Sequence, residues 1–551
     1  MSASPRLLLG CVVVLWTSLS ALAAPSARLR IDPARIDALF KDYDNRTTPG
    51  CAVGIYGEGK VLYAKGYGLA DLERPTPLTP TTLFDIASIS KQFTAASLVL
   101  LAQEGKLALT DDIRKYLPEV PNYGRVLTLD HLLHHTSGLR DYNELLHLKG
   151  YHYEDVTGDE DALRVIARQR ALSFPPGSQW RYSNTNYFLV ALVVKRVTGK
   201  SLAEFAKERL FTPLGMSRSV FRDDHTAVLP GRALAYSPTD QGGFALDQSN
   251  WEQLGDGQVH TNVLELARWE ENFYTPKVGG AALVEALQER GKLDSGADIP
   301  YGRGLILDTY RGVPRVSHSG GWAGYRSLLL RFPSRHVSVA MLCNRTDVQT
   351  SRAEKVADLV LEETFREAES RESKAQKPAP AVTPVLSADA LGRYEGLYFS
   401  EGAQDVLRLA RKEGALELAI HGHDLPLQAA GGERFMAPDS PLAVSFEGER
   451  LTLWRRQLAV GVFNRVEPVT LSAEDWKPLV GEYYSPELET TWRIAVKDGK
   501  AMLEGRALGA QPIEPSFADG FTTELGFLRM RRDGAGRPVG FVLQELQFER
   551  K

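Results

Sequence analysis

The sequence predicts an α+β domain over residues 24–369 followed by two all-β units, 386–470 and 471–551. Three observations carry that expectation. Strand-like runs stand at both ends of the first region, with apolar helical runs between them. Beyond Glu369 the composition shifts to a charged, proline-bearing stretch and then to short alternating runs broken by glycine turns. The last region also repeats itself. Leu386-Ser387-Ala388-Asp389 through Gly396-Leu397-Tyr398-Phe399-Ser400 returns as Leu471-Ser472-Ala473-Glu474 through Gly481-Glu482-Tyr483-Tyr484-Ser485, 85 residues later at both ends of the match.

The bulk properties exclude little. A chain of 551 residues, 43% hydrophobic and 24% charged, has the make-up of a soluble globular protein with room for several domains. Its net charge of −4 gives no reason to expect nucleic acid or an anionic membrane as partner.

The first residues read as a targeting segment. Arg6 precedes an apolar run from Leu7 to Leu22 that ends in Ala21-Leu22-Ala23, the pattern of a secretory signal peptide (1–23) cut after Ala23 or Ala24. Export, to the periplasm or the medium, is the resulting expectation. Leu8-Leu9-Gly10-Cys11 offers an alternative, a lipid-anchored Cys11, although the main apolar run lies behind that cysteine. No later stretch is apolar for long enough to span a membrane. Cys51 and Cys343 remain, and each alone reads as a buried thiol.

In chain order, a helix is expected around Pro33 to Tyr43, then strands Cys51 to Tyr56 and Val61 to Gly68 joined by the turn Gly57-Glu58-Gly59-Lys60. Phe84-Asp85-Ile86-Ala87-Ser88-Ile89-Ser90-Lys91 then leads into an apolar helix reaching Gly105. Serine and lysine three residues apart share one face of a helical turn, which gives the hydroxyl an adjacent amine. Serine needs such a proton acceptor, and donors for the oxyanion, before it can transfer an acyl group.

Thr128-Leu129-Asp130-His131-Leu132-Leu133-His134-His135 reads as a helix capped by Thr128 and ended near Gly138. The i,i+4 spacing of His131 and His135 suits zinc, but no third ligand is marked, so packing or hydrogen bonding is expected and no metal. Tyr182-Ser183-Asn184 follows a Pro/Gly turn at the entrance of the helix Phe188 to Val197. It supplies a phenol as second proton carrier. Val316-Ser317-His318-Ser319-Gly320-Gly321 ends a strand in glycines that let backbone approach a ligand closely. Strands Tyr325 to Phe332 and Val337 to Cys343, and a helix Arg352 to Glu369, complete the domain.

Ser88-Ile89-Ser90-Lys91, Tyr182-Ser183-Asn184 and His318-Ser319-Gly320, in that order, resemble the three active-site motifs of the serine β-lactamase and penicillin-binding protein superfamily. The likeness covers roughly residues 30–370 and points to its class C β-lactamase, D-alanyl-D-alanine carboxypeptidase and D-aminopeptidase branch. It implies an antiparallel sheet flanked by helices. It also implies Ser88 as nucleophile, Lys91 and Tyr182 as proton carriers with the base left open, and Asn184, His318, Ser319 and Gly320 as substrate-binding residues. The oxyanion hole would be the N–H groups of Ser88 and Gly321. No cofactor is implied.

One departure bears on substrate. Where many β-lactamases carry Lys-Thr-Gly, this chain has His318-Ser319-Gly320. A histidine is mostly neutral near pH 7, so it holds a carboxylate less well than lysine. The expectation is therefore an exported peptidase, amidase or esterase acting through an acyl-enzyme on small D-amino-acid substrates. A β-lactamase and a non-catalytic recognition protein are the alternatives. In the implied fold Cys51 begins one strand and Cys343 ends its antiparallel neighbour, which brings a disulfide within reach.

In D-aminopeptidase-like relatives, lipocalin-like β units follow the catalytic domain. The resemblance implies the same for 386–470 and 471–551, joined to the first domain by a linker at 370–385. In those relatives such units reach toward the active site or build oligomers and so restrict substrate size, and a spacer or solubility role is the alternative. His421-Gly422-His423 reads as a surface turn.

Overall fold

A computed structural model describes residues 29–375 and 388–551, apart from 413, 421–422, 439, 441, 456–457 and 506–508. The signal-peptide segment, Cys11, linker residues 376–385 and the His421-Gly422 turn lie outside the described residues.

The first domain is built on a six-stranded antiparallel sheet: β1 (Cys51–Gly57), β2 (Lys60–Tyr67), β3 (Ile306–Tyr310), β4 (Val313–Trp322), β5 (Tyr325–Phe332) and β6 (Val337–Cys343). Their order is β3-β4-β5-β6-β1-β2, so the last strand lies beside the first. Alternation sends Cys51, Val53 and Ile55 of β1 to one face and Ala52 and Tyr56 to the other. Both faces are covered, and every β1 residue is therefore buried. Helix α1 (Pro33–Leu39) and the helix Ser351–Val360 pack on the first face through Ile36, Val356 and Val360. The larger helical layer packs on the second, led by α2 (Lys91–Gln103) and the helix Asn184–Thr198.

β1 pairs with β6 in a register that sets Cys51 opposite Cys343. The two are joined by a disulfide with Cα atoms 4.0 Å apart.

Several expected boundaries move. The helix capped by Thr128 is only Leu129–Leu133, because His135 turns into the left-handed region at φ 57° and leads the chain away before Gly138. The closing helix is two, Ser351–Val360 and Glu362–Ala375, and the second runs on into the stretch read as linker. Its polar composition and the i,i+4 pair Glu367–Arg371 suit an exposed helix.

Beyond it, eight strands from Gly396–Ser400 to Leu458–Val466 close into a barrel. Nine more, from Gly481–Ser485 to Leu546–Arg550, form a nearly closed sheet that stays open between Gly509–Pro512 and Glu514–Phe517. The repeat is structural. Tyr398 donates to Tyr394 O and Tyr483, 85 residues later, donates to Leu479 O. The core of the second unit is continuous with that of the first domain, whereas the barrel has a core of its own.

Candidate active site

Ser88 stands in a tight helical turn, Ala87–Ser90, that feeds directly into α2. The turn is held from several sides. Ala87 donates its N–H to Asp85 Oδ1 at 2.7 Å, and Ser327 of β5 donates to Ile86 O at 2.9 Å. Val259 N–H donates to Ser90 Oγ at 3.0 Å. Ala87 itself sits at φ 49°, a conformation that costs a non-glycine residue on the order of 1–3 kcal/mol and persists only where its surroundings dictate it. Gly320 of β4 lets the sheet edge meet this turn. A Cβ there would fall 2.3 Å from Ile86 O and 2.3 Å from Ser327 Oγ.

Lys91 is fully buried. Its Nζ donates to Ser88 Oγ at 3.1 Å, Asn184 Oδ1 at 2.8 Å and Asp256 O at 2.7 Å. Burial lowers its pKa to about 8, offset in part by the Asp256 and Asp141 carboxylates. The ammonium also lies 4.9 Å from the Tyr182 ring centre. Tyr182 stacks obliquely on His135 with ring centres 4.2 Å apart. Its hydroxyl has no formed hydrogen bond among the described residues. Burial pushes its pKa well above the usual phenol value, with the neighbouring Ser88 hydroxyl working the other way. Asn184 opens its helix, and Asp141 Oδ2 accepts from both its backbone N–H, at 2.7 Å, and its Nδ2, at 2.9 Å.

A cavity of about 250 Å³ opens onto this group, and Ser88, Asn184 and Gly321 are in its wall. His318, Ser319 and Gly320 are not. His318 is buried, its Nδ1 2.6 Å from Ser319 O and its Nε2 3.1 Å from Tyr301 Oη. The carbonyl can only accept, so Nδ1 carries the hydrogen and Nε2 receives the Tyr301 hydroxyl. Burial, with Lys91 nearby, drives the His318 pKa down to about 3, so the ring is neutral. Ser319 points away from the buried side of β4 and is exposed.

The cavity wall also holds residues that the motifs did not announce: Asp141, Glu144, Asp256, Tyr153, Trp251 and Trp322. Burial raises the pKa of Asp141 and of Asp256. Glu144 faces solvent on one side, yet packing around its carboxyl, together with Asp141, pushes it up to about 7. Tyr142 donates to the Asp256 carboxylate at 3.2 Å. Trp322 meets Trp251 and Tyr153 edge to face at 5.6 and 4.7 Å between ring centres, so the cavity lining has an aromatic cluster as well as the acids. Among the described residues none of those in the wall is a lysine or arginine. The sequence marks Asp256 only as a carboxylate between Gly255 and Gly257, and the structure makes Asp141 the cap of the helix Tyr142–Lys149.

His131 and His135 do not face one another as ligands. His131 Nδ1 accepts from Thr128 N–H at 3.2 Å, and His135 is packed among Tyr182, Tyr187 and Tyr301. Among the described residues one group could hold a metal ion, Asp224, His225 and Glu252, and none of the three is in the motifs above.

An antiparallel sheet with a Ser-x-x-Lys turn, a Tyr-Ser-Asn loop and a glycine-edged strand converging on one cavity defines the architecture of the penicillin-recognising serine enzymes. Residues 36–362 match the family described as Beta-lactamase, and the chain belongs to it. A D-aminopeptidase of Gluconobacter oxydans (strain 621H) is 32% identical over 321 residues, which span 58% of this chain and 59% of that relative's length. A D-aminopeptidase of Cereibacter sphaeroides (strain ATCC 17023) is 27% identical over 470 residues and 85% of both chains. In structure the chain resembles the octameric penicillin-binding protein homologue from Pyrococcus abyssi, with a TM-score of 0.56 and 22% identity over 79% of this chain and all of that one.

Proposed function

We propose that the protein is an exported serine hydrolase that works through an acyl-enzyme on Ser88 and removes D-amino-acid residues from the amino ends of small amides or peptides. The observation that carries the reading is the buried Lys91 Nζ, 3.1 Å from Ser88 Oγ. With its proton lost, that amine accepts the Ser88 hydroxyl proton as Oγ attacks the substrate carbonyl. The N–H groups of Ser88 and Gly321 receive the oxyanion, worth about 3 kcal/mol for each such donor. As the C–N bond breaks, the leaving amine takes the proton that Lys91 received, directly or through the Tyr182 hydroxyl, which accepts one proton from Lys91 as it passes one on. Water then gives a proton to the neutral Lys91 amine as it attacks the ester carbonyl, and Ser88 Oγ takes that proton back as the C–O bond breaks. Lys91 serves as the base in this scheme because its neutral form is within reach near pH 8, whereas Tyr182 stays protonated.

The charge of the cavity supports an aminopeptidase over a β-lactamase or carboxypeptidase. Asp141, Glu144 and Asp256 all line it, each with a pKa raised chiefly by burial, and a bound ammonium would offset the solvation those carboxylates have lost. A substrate carboxylate would meet no cation from neutral His318. The D-configuration rests on the relatives named D-aminopeptidase. Export rests on the N-terminal signal-peptide pattern and on the Cys51–Cys343 disulfide, a bond that persists in oxidising compartments.

Labelling with a fluorophosphonate, followed by peptide mapping, tests the nucleophile. Label on Ser88, absent from Ser88→Ala, is expected; an unlabelled wild type would mean a recognition protein instead. A panel of D- and L-aminoacyl p-nitroanilides, their N-acetylated forms and a chromogenic β-lactam tests the substrate. Equal turnover of free and N-acetylated amines would defeat the ammonium reading. N-terminal sequencing of the exported protein tests cleavage after Ala23 or Ala24, and light scattering tests self-association through the β units.

A further inference from the structure

The second β unit meets the first domain at Arg140 and Arg181, the residues that immediately precede two groups of the site. The turn between strands Pro538–Leu543 and Leu546–Arg550 has only two residues, Gln544 and Glu545, both in the left-handed region at φ 49° and 66°. Leu543 and Leu546 on either side are fully buried, and Gln544 Nε2 donates to Leu525 O at 2.6 Å. The turn is thus a fixed point.

From it Glu545 gathers three residues from two segments of the first domain. Its Oε2 accepts from Ser173 Oγ at 2.5 Å, its Oε1 accepts from Arg181 Nη1 at 2.5 Å, and its backbone carbonyl accepts from Arg140 Nη2 at 3.1 Å. Glu487, on the neighbouring loop of the same unit and 4% exposed, accepts from Arg140 Nη1 at 2.9 Å and from Arg170 N–H at 3.0 Å.

Arg181 is the residue before Tyr182, and Arg140 the residue before Asp141. Ser173 and Arg181 bound the loop that delivers Tyr182. Asp141 in turn orients Asn184, which accepts from Lys91. Glu489 of the same unit pairs across the interface with residues that do not adjoin Tyr182 or Asp141. Arg168 and Lys149 meet Glu489 at 3.1 and 3.6 Å, with the Glu489 side chain 39% exposed.

We propose that Glu545, supported by Glu487, is a positioning residue of the active site, through which the second β unit holds the Tyr182 loop and the Asp141–Asn184 contact in register with Ser88. The proposal rests on the serine-hydrolase reading above. It gives the second unit a part in the chemistry at the first domain's site rather than the role of a spacer.

The test uses the full chain. Wild type, Glu545→Ala, Glu545→Gln and the control Glu489→Gln are compared for final fluorophosphonate labelling and for the rate of acylation by a p-nitrophenyl ester across pH. Circular dichroism and melting temperature report the fold. The expected result is complete labelling of every folded variant, with acylation slowed about 10- to 100-fold in Glu545→Ala, the order that a displaced reacting group costs. The loss falls on kcat rather than KM, and the pH of half-maximal acylation moves. Glu545→Gln, which keeps an oxygen acceptor, falls between, and Glu489→Gln stays at the wild-type rate. A folded Glu545→Ala with wild-type rate and pH profile would overturn the proposal, as would an equal loss in Glu489→Gln. If Glu545→Ala does not fold, the two glutamine variants carry the comparison, since both remove one charge from the same interface. A wild type that takes no label would instead sink the serine-hydrolase reading itself.

Discussion

Lys91 Nζ lies 2.8 Å from Asn184 Oδ1, a bond that joins two motifs 93 residues apart in the chain. The other end of that carboxamide, and the Asn184 backbone N–H, point to Asp141 Oδ2. One side chain therefore sets the spacing between a buried cation and a buried carboxylate. Replacing Asn184 by Asp puts a second negative charge against Asp141 and makes Lys91 hold its proton more tightly. Acylation at pH 7 is expected to fall by about 100-fold or more, within the range of general-base effects. Stopped-flow measurement with a p-nitrophenyl ester reads this directly, and a wild-type rate in Asn184→Asp would remove the carboxamide from the proton path.

The pH dependence of acylation separates the two proposed proton carriers, Lys91 and Tyr182. Burial brings Lys91 down from 10.5 to about 8, so below that pH it is an ammonium with no lone pair for the Ser88 proton, and above it an amine. Tyr182 is displaced the other way and stays a neutral phenol throughout. The rate should therefore rise with pH and reach half its plateau near 8. Lys91→Ala should lose both the limb and most of the rate. A limb that persists in Lys91→Ala would assign it to another group.

The two glycines of β4 should respond in opposite ways to the same change. Gly320→Ala places a methyl 2.3 Å from the Ile86 carbonyl that precedes the Ser88 turn, with backbone on one side and Ser327 on the other. The strand must retreat from the turn, and activity is expected to drop about 100-fold. At Gly321 the nearest atoms to a new Cβ are those of Arg326, at 3.6 Å and beyond, so Gly321→Ala should fold normally and keep its N–H for the oxyanion. Comparing kcat/KM of the two variants checks this, and equal losses would mean that the strand edge does not govern the turn.

What could be read from the sequence was local chemistry and period. The β1–β2 hairpin, the β5–β6 pair and the 85-residue repeat follow from short-range patterns, and the structure has them. The Ser88 and Lys91 pairing follows from helical spacing. What was hidden depends on contacts between distant segments. Asp256 becomes a neighbour of Lys91 only after a loop 165 residues downstream folds over α2, and no pattern around it says so. Trp251 and Trp322 look like core residues until the fold sets them edge to face in a cavity wall. His135 ends its helix early without a glycine, held in the left-handed region by packing against three tyrosines. Glu545 carries no motif at all.

The disulfide between Cys51 and Cys343 closes a loop spanning a sequence separation of 292 and ties the first strand of the sheet to the last. Such a bond acts mainly on the unfolded chain, whose freedom it restricts more the longer the loop. Around the cysteines the sheet is already complete: β1 is paired with β2 on its other edge, and β6 with β5. Removing the link should therefore leave the fold and the active site in place and lower the stability by about 2–5 kcal/mol. Cys51→Ala with Cys343→Ala, or reduction of the wild type, should shift denaturant unfolding of the first domain to lower concentration. The acylation rate of the folded protein should stay unchanged. Unfolding unaffected by reductant would mean that the thiols are not joined in the protein as made, and a slowed acylation would mean that the sheet edge near Ser88 depends on the bond.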